Sequence, residues 1–162
     1  MIVADASWIV ALRDPEDDHH REAAAINGEI AGEVALLHPI TLAESLVASA
    51  KLGVLDEGAS KLRAAFDVVD VDPDAPIRWA LLRAETGLRL PDAIVLDTAL
   101  RHRARAIATF DERLAARTVD RGFEVLGPPS EKPSVVARTS KARNSAISTV
   151  RSLGTSPGIA QG

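Results

Sequence analysis

The chain has 162 residues and a net charge of −4, with 46% apolar and only 3% aromatic residues. It contains no cysteine, which excludes disulfides and thiolate metal sites, and it has no stretch of the ~20 apolar residues that span a bilayer and none of signal-peptide length. These features predict a cytoplasmic globular protein, without a membrane partner, whose core is built from Ala, Leu, Val and Ile.

Short apolar strands alternate with helical segments along the chain. The first strand is predicted at residues 2–4, and a helix follows it from about Trp8. Later strands are predicted at 34–39, 66–74, 106–110 and 122–127, and helices at 19–33, 40–53, 56–66, 75–87, 91–105 and 111–117. In the helix over 40–53, Thr41 is the candidate N-cap and Gly53 the stop. The alternation predicts an α/β fold with a mostly parallel central sheet flanked by helices.

Charge and composition change near Pro128. Residues 1–130 carry 14 Lys and Arg against 22 Asp and Glu, a net −8, whereas residues 131–162 carry five basic residues and one acid, a net +4. We therefore expect a folded domain over residues 1–128 and a basic, Ser/Thr/Pro-rich disordered tail over 129–162. The acidic body disfavours nucleic-acid binding unless bound metal neutralises part of its charge.

Four acids fall where a predicted element begins or ends. Asp5 ends the first strand, where an unpaired charge is costly, Glu44 is placed in the first turn of its helix, Asp92 follows Pro91 at a helix start, and Asp111 follows a strand. The carboxyl ends of parallel strands share one rim of the sheet, which is where α/β folds bind their ligands. The four acids are therefore candidates for one site.

Three of these acids also have structural explanations. Thr41 and Glu44 have the spacing of a capping box, in which Glu44 would only close its own helix. Asp92 suits the positive end of a helix, and Asp111 suits an N-cap. Taken singly, these explanations are favoured, and the case for a site depends on the combination.

That combination resembles the PIN-domain family of nucleases, and in particular its VapC-like toxin branch. The matching segments are Asp5-Ala6-Ser7, Glu44 in TLAES, Asp92-Ala93, and Thr109-Phe110-Asp111, and the resemblance covers about residues 1–127. It implies a PIN-like three-layer fold. The tail has no counterpart in the resemblance.

The resemblance also implies a function. Asp5, Glu44, Asp92 and Asp111 would bind Mg²⁺ or Mn²⁺ in a divalent-metal-dependent endoribonuclease, which agrees with the preference of these hard ions for oxygen ligands. Ser7 and Thr109 would orient carboxylates or metal-bound water, although plain turn and strand-end hydroxyls are an equal alternative. The implied partners are RNA (tRNA or rRNA), a VapB-like antitoxin, and a second copy of the chain in a homodimer.

Asp97 departs from the family pattern, because a small residue usually occupies its place. It lies about 140° round the helix from Asp92, so the two do not share a face. Asp97 is therefore an auxiliary acid, a partner for a basic group, or an exposed side chain.

Substrate RNA would need cations near the acids. Arg89 is best placed for this, just before Asp92, and a second candidate is the basic cluster Arg101, His102, Arg103 and Arg105. Cations at the C-terminus of a helix also complement its dipole without any ligand. No histidine is assigned a catalytic role, and both tryptophans are expected in the core or at a dimer contact.

Two other functions remain open. An Asp-based phosphotransferase would use Asp5 as its nucleophile. Such sites generally require a second acid close to the first Asp, but here the next two residues are Ala6 and Ser7. A non-catalytic PIN-like scaffold would bind a partner through its helices or its basic tail. Neutralising one acid separates a nuclease from a scaffold, because only the nuclease would lose its activity.

Overall fold

A computed structural model describes residues 1–127 of the chain. The tail predicted over 129–162 lies outside the described residues. The strands are β1 (Ile2–Ala4), β2 (Ala35–Leu37), β3 (Asp67–Val68), β4 (Ala106–Ala108) and β5 (Glu124–Leu126). The helices are α1 (Ala6–Arg13), α2 (His20–Glu29), α3 (Pro39–Ser45), α4 (Val47–Lys51), α5 (Leu55–Ala65), α6 (Ala75–Thr86), α7 (Leu90–His102) and α8 (Glu112–Asp120).

The five strands form one parallel sheet in the order β3-β2-β1-β4-β5. The strand order reverses direction between β1 and β4, which pair in register from Ile2↔Ala106 to Ala4↔Ala108. In open α/β sheets such a switch point opens a crevice at the carboxyl ends of the two strands. Asp5 and Thr109 are the first residues after these two strands.

Helices cover both faces of the sheet, which explains why β1 and β4 are apolar throughout rather than alternating. On one face Ile2 and Ala4 pack with Trp8 of α1 and Ile26 of α2. On the other face Val3 and Ile107 belong to a second cluster with residues of α7, such as Val95. The predicted three-layer α/β architecture with a parallel sheet is confirmed. No helix of the described part is long and apolar enough to cross a membrane.

The predicted N-cap at Thr41 is wrong. Helix α3 begins two residues earlier, at Pro39, and its N-cap is His38, whose Nδ1 accepts from the Ile40 amide at 3.1 Å. Thr41 is instead a helical residue with 1% of its surface exposed. The Pro after His38 suits the first helical position because its missing N–H is not needed there. Glu44 therefore lies beyond the first turn, and the capping box does not form.

The predicted helix over 40–53 is divided into α3 and α4 at Leu46. The break coincides with a competing hydrogen bond, since Arg13 Nη1 donates to the Ser45 carbonyl at 2.9 Å. That carbonyl would otherwise accept from the amide of Ser49, whose hydroxyl also accepts from Arg13, at 2.9 Å. A side chain inserted into the helical ladder is a common cause of such breaks.

Candidate active site

Asp5 is held at the switch point by hydrogen bonds to one of its two carboxylate oxygens. Its Oδ2 accepts from the Ser7 hydroxyl at 2.5 Å, the Ser7 amide at 3.3 Å and the Thr109 hydroxyl at 2.9 Å. Asp5 is only 7% exposed, and its backbone amide donates to the Ala108 carbonyl at 2.9 Å. These bonds all fall on Oδ2, so Oδ1 remains available for a cation or a water.

Thr109 and Ser7 connect the ends of β1 and β4. The fully buried Thr109 hydroxyl donates to Asp5 and accepts from the Asp111 amide at 3.0 Å. The Ser7 hydroxyl donates to Asp5 and accepts from the Phe110 amide at 2.9 Å. Both hydroxyls therefore fix the Asp5 carboxylate relative to the segment that carries Asp111.

Asp111 is the N-cap of α8, as its structural explanation predicted. Its Oδ1 accepts from the amides of Arg113 at 2.9 Å and Leu114 at 2.8 Å. The cap uses Oδ1, so the other carboxylate oxygen is left for a further ligand. Capping and ligand binding are thus compatible at this residue.

Glu44 and Asp92 approach the same rim from α3 and α7. Partial desolvation raises the pKa of Glu44, and the charges of Asp5 and Asp92 raise it further. Partial burial likewise raises the pKa of Asp92, with added repulsion from Asp111 and Asp5. The Arg89 amide and guanidinium act in the opposite direction and lower the pKa of Asp92. The structure therefore brings all four predicted acids within range of mutual repulsion, with Arg89 beside them.

This donor set fits a hard divalent cation. Like charges at one rim favour protons or cations that offset their repulsion, and the available donors are carboxylate and hydroxyl oxygens. Within residues 1–127 no three acidic or imidazole groups are gathered closely enough to enclose an ion.

Asp97 does not join the four acids. It is 6% exposed, and its carboxylate accepts from the Arg78 guanidinium at 3.2 Å and from Trp79 Nε1 at 3.0 Å. The sequence predicts Asp97 as an auxiliary acid, a partner for a basic group or an exposed side chain, and the structure shows it as the partner of Arg78. Trp79 is half-buried beside it, while Trp8 lies fully in the core.

The basic cluster at 101–105 is largely engaged in ion pairs away from the acids. Arg101 pairs with Asp72, and Arg105 pairs with Glu33 at 2.5 Å and Glu124 at 2.6 Å. The Arg105 amide donates to the Met1 carbonyl at 3.1 Å, which places it at the amino end of β1, opposite Asp5. Of the two predicted sources of cations, only Arg89 lies at the rim.

Three other arginines, not predicted from the sequence, contact the backbone just before Arg89. Arg83, Arg113 and Arg117 contact the carbonyls of the turn between α6 and α7, which leads directly into Asp92. One signal for two of them is present in the sequence, because residues 113 and 117 are one helical turn apart. The contact with the turn depends on tertiary packing.

The fold and the rim together define an α/β protein with a group of acidic residues at the switch point of a parallel sheet. The family model for the PIN domain matches residues 2–119. The chain belongs to the PIN domain family.

Several solved structures are similar to the chain. A toxin–antitoxin complex from Klebsiella pneumoniae has 26% sequence identity and a TM-score of 0.60, over 72% of this chain and 91% of that one. Mycobacterium tuberculosis VapC20, a sarcin–ricin loop cleaving toxin, has 19% identity and a TM-score of 0.61, over 76% and 96%. Rickettsia felis VapBC2, bound to a promoter DNA fragment, has 15% identity and a TM-score of 0.55, over 79% and 99%. No curated protein matches the chain significantly.

Proposed function

We propose that this protein is a divalent-metal-dependent endoribonuclease and the toxin component of a toxin–antitoxin pair of the VapC type. The observation that carries the proposal is the rim at the switch point, where Ser7 and Thr109 hold the Asp5 carboxylate and where burial and neighbouring acids raise the pKa of Glu44 and of Asp92. A metal-dependent nuclease needs oxygen ligands at such a rim, whereas the scaffold alternative assigns the four acids no shared role.

In this proposal the four acids hold Mg²⁺ or Mn²⁺. The bound metal would supply a water of lowered pKa and stabilise charge on the leaving oxygen of the phosphodiester. Ser7 and Thr109 fix the Asp5 carboxylate, and Asp111 is fixed by its role as an N-cap. The chain thereby presents two of its four acids in a preset orientation.

The proposed substrate is RNA, with tRNA and rRNA as the first candidates. Support comes from the similarity to VapC20, which is described as a toxin that cleaves the sarcin–ricin loop. The proposed partner is a VapB-like antitoxin, supported by the similar complex from Klebsiella pneumoniae. Binding of RNA by an acidic domain then requires metal at the rim and cations beside it.

We also propose a homodimer through α6. Ile77 and Leu81 are 64% and 59% exposed and lie one helical turn apart, so they form an apolar stripe on the outer face of α6. Leu81 and Leu100 of α7 line the same shallow groove. Exposed apolar side chains that adjoin one another are typical of an interaction surface.

The test is cleavage of a tRNA and rRNA pool by the purified full-length protein without antitoxin. Reactions would contain Mg²⁺, Mn²⁺ or EDTA. Asp5→Asn keeps the shape and the hydrogen-bond acceptor of Asp5 and removes its charge, and Asp56→Asn, on the exposed start of α5, is the matched control. We expect metal-dependent cleavage that is lost in Asp5→Asn and kept in Asp56→Asn.

Other outcomes would contradict the proposal. Cleavage that persists in Asp5→Asn would place the active site elsewhere. If the folded protein cleaves no RNA in either metal but still binds an antitoxin or another partner, it is a PIN-like scaffold. Transfer of phosphate to Asp5 would indicate the phosphotransferase.

A further inference from the structure

Three arginines surround the turn between α6 and α7, and their guanidinium groups contact three successive carbonyls of its backbone. Arg117 Nε donates to the Thr86 carbonyl at 3.1 Å, Arg113 Nη2 to the Gly87 carbonyl at 3.4 Å, and Arg83 Nε to the Leu88 carbonyl at 3.4 Å. Arg89 is the next residue. We call Arg83, Arg89, Arg113 and Arg117 the arginine collar.

Most of the collar's positive charge is not engaged in ion pairs, although Arg89 acts on Asp92 and Glu112 lies beside Arg113. Carbonyls are neutral acceptors, and Arg83, Arg89 and Arg113 form no ion pair within residues 1–127. Arg117 pairs with Asp120 at 2.9 Å, with both side chains about half exposed. Such an exposed pair is weak and is readily exchanged for a stronger anion.

Other arginines of the domain are paired differently. Arg78 contacts both Asp72 and Asp97, Arg105 contacts Glu33 and Glu124, and Arg121 contacts Glu85 at 2.6 Å. Because residues 1–130 have a net charge of −8, a cluster of unneutralised cations is unusual in this domain. Arg13, Arg21, Arg63 and Arg103 also form no ion pair within residues 1–127, but they lie in or beside separate elements, whereas the collar arginines gather at one turn.

Two of the collar arginines, Arg113 and Arg117, line a concave surface, and Arg89 lies beside Asp92 of the acidic rim. Between the turn and α8 lies a cavity of about 350 Å³, lined by Thr86, Gly87, Leu88, Glu112, Arg113, Ala116 and Arg117. Arg89 precedes Asp92 by three residues, and Arg113 follows Asp111 by two. The cavity therefore lies beside the two segments that carry Asp92 and Asp111.

On the basis of the proposed ribonuclease function, we infer that the arginine collar binds the phosphodiester backbone of substrate RNA to one side of the scissile bond. Guanidinium groups match phosphate oxygens with paired hydrogen bonds. The collar would also offset the repulsion between RNA and the acidic body. Its arginines are positioning residues, because they bind the backbone away from the reacting phosphate.

The inference is tested by RNA binding in full-length protein that carries Asp5→Asn, which prevents cleavage during the measurement. The probe is a fluorescein-labelled single-stranded oligouridylate, titrated by fluorescence anisotropy at a constant concentration of Mg²⁺ and between about 50 and 200 mM monovalent salt, a range over which phosphate contacts lose much of their strength. The test variant is Arg113→Gln with Arg117→Gln. The control is Arg21→Gln with Arg63→Gln, which removes the same charge from two exposed arginines of α2 and α5.

We expect the collar variant to bind RNA about tenfold or more weakly than the control. The slope of log affinity against log salt should become shallower by about 0.7 for each phosphate that the variant no longer binds. A purely structural role for these arginines would not change that slope. Thermal unfolding of each variant checks that the fold is kept, and the basic tail is present in every sample.

Two results would contradict RNA binding by the collar, and a third would support RNA binding without supporting the ribonuclease function. If the collar and control variants have the same affinity and slope, the collar does not bind RNA. If a polyglutamate peptide competes as well as RNA, and only when the collar is intact, the surface recognises an acidic peptide instead. If the collar binds RNA while the wild-type protein cleaves none in any metal, the binding surface is supported and the ribonuclease is not.

Discussion

The hydroxyl of Thr109 donates to the carboxylate of Asp5 at 2.9 Å across 104 residues of sequence. The same hydroxyl accepts from the amide of Asp111 at 3.0 Å. One buried side chain at the carboxyl end of β4 therefore fixes the relative positions of two of the four acids.

Replacing Thr109 by Val should therefore weaken both the fold and the site. The change leaves the amide of Asp111 without its acceptor, which lowers the free energy of unfolding by about 1–3 kcal/mol. It also removes one of the hydrogen bonds to the Asp5 carboxylate. We expect Mn²⁺ affinity to fall by about 10–100-fold, as when a group that orients a ligand is removed. Calorimetric titration measures this, with Thr109→Ser as control. Equal Mn²⁺ affinity in the Val and Ser variants would show that the hydroxyl does not orient the site.

Glu44→Gln should stabilise the metal-free protein. Desolvation, Asp5 and Asp92 raise the pKa of Glu44, so at neutral pH its charge opposes folding. We expect a melting temperature higher by about 1–2 °C in EDTA, the size typical of a surface substitution. As the pH falls from 7 toward 5, Glu44 takes up its proton earlier in the folded state, so the difference should shrink. Saturating Mg²⁺ should raise the melting temperature of the wild type more than that of the variant.

His38 should make the protein less stable as the pH falls below about 6.5. Burial lowers the pKa of His38 from its usual 6.5, with Asp97 in opposition, so the folded state favours the neutral ring. Protonation of Nδ1 also removes the acceptor for the Ile40 amide, and loss of an N-cap costs about 1 kcal/mol. Urea unfolding at pH 7 and pH 5 measures the effect. His38→Asn, which keeps a capping oxygen, should lose less stability than wild type over this range, while the exposed His102→Asn should behave as wild type.

Gly127→Ala should destabilise the protein next to the site. A Cβ at this position would clash with the Thr109 carbonyl oxygen, so β5 or the end of β4 must shift. Overpacking of this kind costs about 1–3 kcal/mol. Gly28 in α2 is the matched control, since a Cβ there meets nothing within 4 Å, and Gly28→Ala should stabilise by about 0.5–1 kcal/mol. Equal unfolding free energies for the two variants would contradict this argument.

Ile77→Ser with Leu81→Ser should weaken the proposed homodimer. Truncating an apolar side chain at the centre of an interface commonly costs more than about 1 kcal/mol, so the dissociation constant should rise about tenfold or more. Sedimentation velocity over a concentration series measures it. Leu52→Ser removes an apolar side chain that is 77% exposed and serves as control. A monomeric wild type would disprove the dimer itself.

The order of elements and the placement of Asp5 and Asp111 could be predicted from the sequence because both depend on local patterns. Apolar runs mark the strands, and the carboxyl end of a strand is readable as the residue where the run stops. The start of α3 could not be predicted in this way. Thr41 has the better intrinsic capping preference, but burial of its side chain in the folded domain favours His38 and Pro39 instead.

The arginines show the same limit. Arg101 and Arg105 form a conspicuous basic cluster in the sequence, but tertiary contacts bring Asp72, Glu33 and Glu124 to them and neutralise much of their charge. Arg83 and Arg113 are separated by 30 residues and stand out only when α6 and α8 meet around the turn. Which cations keep their charge is decided by partners distant in sequence, and single-sequence patterns do not contain that information.

The bond between Asp5 and Thr109 also has a consequence for synthesis. At about 5–20 residues per second, roughly 5–20 s separate the translation of these two residues, which lie 104 positions apart. Until β4 has been made and has paired with β1, Asp5 lacks one of the two side chains that orient it, and Asp111 is absent. Under the proposed function, the nascent chain is therefore inactive toward the ribosome that makes it, and the rim is assembled only when the domain nears completion.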